Sequence, residues 1–267
     1  MKIKNNIKKI FSLENFAPII VGIIFLTSWE IWIYIKKIPS YILPSPSLIF
    51  KTLIDDWSLL SNSLFFTIKM TLVAFFLSII SGVLIAILFN QSKWIERSFF
   101  PYAVILQTTP LIAIAPLIII WFKDNTFGAL VVCAWIIAFF PIVSNTTLGL
   151  NSVDKNLINL FRLYKASRWQ ELIYLRLPAA LPYFLGGLKI SGGLALIGTV
   201  AAEFVSGSGG AKSGLAYQIL MASYNLQIPR MFAALLLISI TGISIFVTLN
   251  FISFLLLKDW HESAIQK

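Results

Sequence analysis

Charge is scarce in this 267-residue chain: 12% of its residues are Asp, Glu, Lys or Arg, well under the roughly 25% of a soluble domain. Acidic residues are scarcer still, 11 against 21 basic ones. Cysteine and histidine occur once each. A lone cysteine excludes an intrachain disulfide, and one Cys with one His excludes a Cys/His metal site. Cys133 lies within an apolar run, where packing is its role, and His261 sits in a polar tail near Asp259 and Glu262. No cluster of His, Asp and Glu and no nucleophile–base pair supports an enzyme. There is no repeat of solenoid length and no low-complexity tract.

What is abundant is apolar surface, at 58% hydrophobic residues. The solvent for most of this chain is lipid. The net charge of +10 comes from basic residues flanking apolar runs. Topology and anionic headgroups account for that excess better than nucleic acid does, and no nucleic-acid partner is expected.

Six apolar runs are long enough to span a bilayer: 17–35, 65–89, 99–122, 126–148, 184–204 and 230–256. The third contains Pro101, Pro110 and Pro116 and is expected to be irregular. The basic residues set the orientation. With both termini in the cytosol, Lys2, Lys4, Lys8, Lys9, Lys93, Arg97, Lys155, Arg162, Lys165, Arg168, Arg176, Lys258 and Lys267 fall inside. Lys36, Lys37, Lys51, Lys123, Lys212 and Arg230 fall outside, a bias of about two to one in the expected sense. The first run is too long for a signal-peptide core and lacks a small-x-small cleavage site, so it reads as an uncleaved helix. Trp29, Trp32 and Tyr34 form an aromatic belt at its outer end. Glu30 among them either lines a path or snorkels to the interface. After Pro44 and Pro46, Ser47 offers an N-cap for a short outer interfacial helix with an apolar face at Leu48, Phe50, Leu53 and Ile54.

Between Leu150 and Tyr183 a long polar, basic stretch interrupts the apolar chain. Asp154 is a good N-cap, and Leu157, Leu160, Phe161 and Tyr164 follow at i, i+3, i+4, i+7 on one helix face. Ser167-Arg-Trp-Gln170 is a capping box that starts a second helix, with Pro178 and Pro182 beyond it. Two helices with a break near Lys165–Ser167 fit either an amphipathic element lying on the membrane or a docking element for a soluble partner.

The run Phe161-Arg-Leu-Tyr-Lys165-Ala166-Ser167-Arg168-Trp169-Gln, continued by Leu175-Arg-Leu177-Pro178-Ala-Ala-Leu-Pro182-Tyr, resembles the EAA loop of binding-protein-dependent ABC importer permeases. That loop has the pattern E-A-A-x3-G-x9-I-x-L-P. Asn159, Leu160 and Phe161 stand at its E-A-A positions, Lys165 at its Gly and Leu175 at its Ile, and Leu177-Pro178 match outright. Leu43-Pro-Ser-Pro-Ser, Ala115-Pro-Leu-Ile-Ile-Ile-Trp-Phe, Phe140-Pro-Ile-Val-Ser-Asn-Thr-Thr-Leu-Gly and Ala202-Glu-Phe with Ser213-Gly-Leu-Ala-Tyr are similar to its nitrate/sulfonate/taurine-type subgroup. The resemblance thus covers nearly the whole chain. The ending Trp260-His-Glu-Ser-Ala and Tyr164-Lys165 are closer to its vitamin-precursor members, hydroxymethylpyrimidine or riboflavin-like. A glycine at 165 would take a positive φ freely, and Lys165 must either bear that conformation or turn differently.

The resemblance implies an all-α integral membrane protein with six transmembrane helices, a cytosolic coupling helix and a short outer interfacial helix. It divides the chain into a cytosolic basic N-terminus (1–16), a first span with the interfacial segment (17–63), a core permease domain (64–256) with the coupling loop at 149–183, and a cytosolic tail (257–267). It implies a non-catalytic subunit of the bacterial cytoplasmic membrane. The expected partners are a second permease chain, forming a homodimer, two ABC ATPases that bind ATP and Mg, and an extracytoplasmic solute-binding protein. No cofactor or metal is expected in this chain. The ATPase-coupling residues would be Asp154, Leu157, Leu160, Phe161, Tyr164, Lys165, Ala166, Ser167, Arg168, Trp169, Leu177 and Pro178.

Ser206-Gly-Ser-Gly-Gly-Ala-Lys212-Ser213-Gly imitates a P-loop but has Ser206 and Ala211 where glycine is required, and no strand precedes it. Polar residues within spans, namely Gln107, Thr108, Thr109, Asn145, Thr146, Ser191 and Thr199, either line a path or hydrogen-bond between helices. Gly186, Gly187, Gly192, Gly193 and Gly198 thin the fifth span for close packing or a path wall. Glu203 and Lys212 are candidates for contact with the binding protein. A secondary transporter or channel is the alternative, but it would want inverted repeats or intramembrane carboxylates, and neither is evident.

Overall fold

The structure, a computed structural model, describes residues 13–123, 125–207 and 213–258, with only the backbone of 13–16. Its regular elements are helices: α1 (Leu13–Lys36), α2 (Pro46–Asp55), α3 (Trp57–Gln91), α4 (Lys93–Thr108), α5 (Leu111–Phe122), α6 (Thr126–Asn151), α7 (Lys155–Leu163), α8 (Arg168–Glu171), a π-helical turn (Leu172–Arg176), α9 (Leu177–Ser206), α10 (Leu215–Tyr224) and α11 (Ile228–Leu257). Among the described residues, five helices are long and apolar enough to cross a membrane, and there are six spans if α4 and α5 count as one.

The third expected span, 99–122, is not a continuous helix. α4 and α5 meet at a bend of 98°. Pro110 lacks an N–H and drives the residue before it out of the helical region, so Thr109 is extended at φ −68°, ψ 125°. Backbone freed at membrane depth must find partners. Thr109 N and Oγ1 both donate to Ile105 O (3.0 and 2.7 Å), and Thr108 Oγ1 donates to Val104 O at 3.1 Å. Pro101 and Pro116 remain inside their helices.

The chain divides into two compact units, Met1–Leu60 with Gln218–Leu235 and Ser61–Tyr217 with Leu236–Lys267. In the first, Glu30 of α1 accepts from Ser47 N (3.0 Å) and Ser47 Oγ (2.7 Å). That corrects the expected cap of α2. Ser45 is the N-cap, accepting from Leu48 N at 3.3 Å, because Pro46 with its fixed φ takes the first helical position. Arg230 grips Asp56 with two nitrogens, at 2.6 and 3.1 Å.

The second unit is built on the antiparallel pair α6 and α9. Glycines set how closely they approach. A Cβ on Gly149 would lie 2.8 Å from Ala180 Cα, one on Gly187 2.9 Å from Pro141 O, and one on Gly198 2.9 Å from Ala134 Cα. Ser191 Oγ donates to Ala138 O between these points. Small residues at such crossings let dispersion contacts accumulate where lipid supplies no hydrophobic drive. α3 joins the pair through Gly82 against Ile142, and through the Trp135 indole, which donates to Ser81 Oγ at 2.9 Å.

Candidate coupling element and polar clasps

From Asp154 to Arg176 the second unit carries an element with little of its own buried. Asp154 caps α7, its Oδ1 accepting from Asn156 N at 2.6 Å. α7 ends in a Schellman turn. Lys165 N donates to Arg162 O (2.9 Å), Ala166 N to Phe161 O (3.0 Å), and Lys165 has φ 53°. The break therefore keeps the glycine-type geometry, with a lysine bearing its strain. The reciprocal capping box then starts α8: Gln170 N donates to Ser167 Oγ (3.3 Å) and Ser167 N to Gln170 Oε1 (2.7 Å).

Neither α7 nor α8 buries a residue. Leu157, Leu160, Leu163, Tyr164 and Trp169 are exposed, Tyr164 by 81%. Phe161 is half-buried and turns into a groove of about 350 Å³ that it shares with Leu160, Tyr164, Ala166, Gln170 and Tyr174. Arg168 is exposed, and the chain stays helical through the π-turn into Leu177-Pro178 at the start of α9.

At the foot of this element polar groups converge. Arg176 Nη1 donates to Leu150 O at 3.0 Å, and its Nε donates to Glu171 Oε1 at 2.7 Å. Asn90 Nδ2 and Lys93 Nζ donate to Asn151 Oδ1 at 3.2 and 3.3 Å. A cation on the last carbonyls of α6 also matches the helix dipole.

The expected path residues fall into two groups. Gln107 and Thr108 are exposed at the α4–α5 break, with Thr109 half-buried beside them. Ser191 and Thr199 are fully buried and tie helices together, Thr199 Oγ1 accepting from Thr71 Oγ1 at 3.2 Å. Asn145 Nδ2 turns back to Pro141 O at 2.9 Å. The glycines divide likewise: Gly187, Gly192 and Gly198 are packed, whereas Gly186 and Gly193 have nothing within 4 Å.

Glu203 is not the surface contact the sequence offered. It is only 3% exposed, and its oxygens accept from Thr67 Oγ1 (2.8 Å) and Ala216 N (2.9 Å). Thr67 Oγ1 also accepts from Leu215 N at 2.9 Å. The carboxylate thus caps α10 from the end of α9 and is spent inside the chain. A Cβ on Gly214 would sit 1.9 Å from Glu203 Oε1, so a side chain there must displace the carboxylate from its donors. Lys212 lies outside the described residues. Sequence reasoning passed over Thr67 and Arg176. A Thr67/Thr71 pair, i and i+4 within an apolar run, was the available signal for the first.

These features coincide with a known family. Residues 74–260 match the model described as "Binding-protein-dependent transport system inner membrane component". The chain belongs to this family. Among relatives, it is 33% identical to the formylaminopyrimidine transport permease protein ThiX of Halalkalibacterium halodurans, covering 94% of this chain and 98% of that one. It is 30% identical to the riboflavin transport system permease protein RibX of Chloroflexus aurantiacus, covering 96% of each. To the putative aliphatic sulfonates transport permease protein SsuC of Bacillus subtilis it is 31% identical, covering 82% of this chain and 78% of that one. A chain of the inward-facing MetNI methionine ABC transporter shares the fold, with TM-score 0.65 at 20% identity, over 74% of this chain and 95% of that one. The protein is a multi-pass inner-membrane permease of the ABC importer family.

Proposed function

We propose that this permease forms half of a solute path and is driven by a separate ATPase docked on the Asp154–Arg176 element in the cytosol. The observation that carries this reading is the exposed apolar face of Leu157, Leu160, Leu163 and Tyr164 beside the Phe161 groove, on an otherwise polar pair of helices. A face of this kind receives a partner helix or knob. In this reading both termini are cytosolic, as the basic residues favour. ATP and Mg belong to two ATPase subunits, a second copy of this chain completes the path, and a solute-binding protein loads it from the opposite side. ATP binding closes the ATPases and swings the coupled helices between inward- and outward-open states.

The solute is a small neutral heterocycle of the vitamin-precursor kind. Two observations support that choice over a small anion. ThiX and RibX align along nearly the whole chain. The open face of α9, marked by Gly186 and Gly193, presents the exposed side chains of Ile190, Ile197 and Phe204, with Lys189 at its border.

The test is reconstitution. The purified chain alone should hydrolyse no ATP. Hydrolysis should appear with the ATPase, and uptake only when the binding protein is added. Leu160→Asp should abolish ATPase association, since it places an unpaired carboxylate in a desolvated contact at a cost of several kcal/mol. Asn159→Asp, on the exposed opposite face, should leave association intact. Equal association for both variants would remove the docking reading. Competition by riboflavin or formylaminopyrimidine, but not nitrate or an alkanesulfonate, should mark the solute class.

A further inference from the structure

We propose that Arg176 is the positioning residue through which movement of the docked element enters the membrane helices. The proposal rests on the docking reading above and adds the route by which force leaves the docking face. No residue of α7 or α8 is fully buried, so the element is gripped chiefly where it ends. There Leu172, 2% exposed, enters a cluster with Ala86, Leu150 and Ala180, which come from α3, α6 and α9. Arg176 spans this joint. Its guanidinium holds Glu171, the last residue of α8, with Nε and Nη2, and holds the Leu150 carbonyl in the last turn of α6 with Nη1.

The turn bridged in this way, Leu172–Arg176, is π-helical. Such a turn has a looser hydrogen-bond register than an α-helix and marks places where functional geometry is set from outside the ladder. The planar fork of arginine supplies that setting, since it fixes two acceptors at once in one plane. Beyond it the path is stiff. The end of α6 is wedged on α9 at Gly149–Ala180, and Asn90 and Lys93 hold Asn151 to α3 and α4. A displacement of α8 is thereby delivered to the α6–α9 pair, whereas without the fork the π-turn would absorb it.

The experiment uses the assembled complex in nanodiscs, with Phe204→Cys at the far end of α9 as reporter. Phe204 is 38% exposed, while the native Cys133 is fully buried and stays unlabelled. Maleimide labelling is measured with and without a non-hydrolysable ATP analogue. With Arg176 present the analogue should change the labelling rate by about fivefold or more, the range of ordinary coupling energies. Arg176→Gln should copurify with the ATPase and hydrolyse ATP, but its labelling rate should no longer respond. Arg176→Lys should keep part of the response, and Glu171→Gln should lose it partly without touching Arg176. A full response in Arg176→Gln overturns the proposal. So does loss of ATPase copurification in that variant, or a changed labelling rate without nucleotide, since either makes Arg176 a residue of assembly or folding. If the ATPase fails to bind even the protein with native Arg176, the docking reading fails first, and the two failures are told apart.

Discussion

Both ends of α9 are held by a charged side chain, but in opposite ways. At one end Arg176, 19% exposed, donates to the carbonyl end of α6 and to Glu171. At the other, Glu203, 3% exposed, accepts from the N–H end of α10 and from Thr67. Each sign suits the helix terminus it meets, a cation at a C-terminus and an anion at an N-terminus. The difference lies in what surrounds them. Glu203 is closed in by Gly214 and Thr67 and leaves no slack. Arg176 sits on a π-turn beneath two helices in which no residue is fully buried. One end is a fixed clasp and the other a joint.

The comparison is broken most directly at the fixed end. Gly214→Ala should cost about 3 kcal/mol or more, because the new methyl expels a buried carboxylate from its donors. A large fall in thermal unfolding temperature in detergent is expected, and an unchanged value would show that the clasp has slack after all. Thr67→Val should cost about 1–3 kcal/mol, since one hydroxyl serves both Glu203 and Leu215 N. Between the ends, Gly198→Ala meets the Ala134 backbone at 2.9 Å and should cost about 1–3 kcal/mol. Gly193→Ala, with open space, should be neutral or stabilise by up to about 1 kcal/mol in the same assay. Equal effects for the two glycines would contradict the assignment of a packed and an open face. The smallest effect belongs to the joint end. Lys165→Gly relieves a left-handed lysine and should stabilise the element by about 1 kcal/mol. Slower amide exchange over residues 155–171 would show it.

Local signals made much of this legible. The Asp154 cap, the Ser167–Gln170 box and the break at Lys165 are each written within four residues, and each stands where the pattern put it. The apolar runs mark the spans because lipid demands length and little else. Neighbouring candidates were harder. Ser45 and Ser47 flank the same proline, and only the helix start at Pro46 chooses between them. Three prolines in one run look alike, yet only Pro110 breaks it, with Thr109 before it held extended and its hydroxyl turned back to Ile105 O. Glu203 was misplaced because its partner Thr67 is 136 residues away. A carboxylate near a span end looks the same whether it faces water or caps another helix.

Photo-crosslinking tests the central claim, that a separate ATPase engages the Asp154–Arg176 element, most directly. A photoreactive side chain is placed in turn at Leu157, Leu163, Tyr164 and Trp169, and at Phe76, an exposed residue in the apolar middle of α3. Cells carrying the whole transporter are irradiated, and the adducts are identified by mass. The account predicts ATPase adducts from the first four positions and none from Phe76. ATPase adducts absent from all four, or arising instead from Tyr41 or Ile42 in the α1–α2 connection, would contradict it.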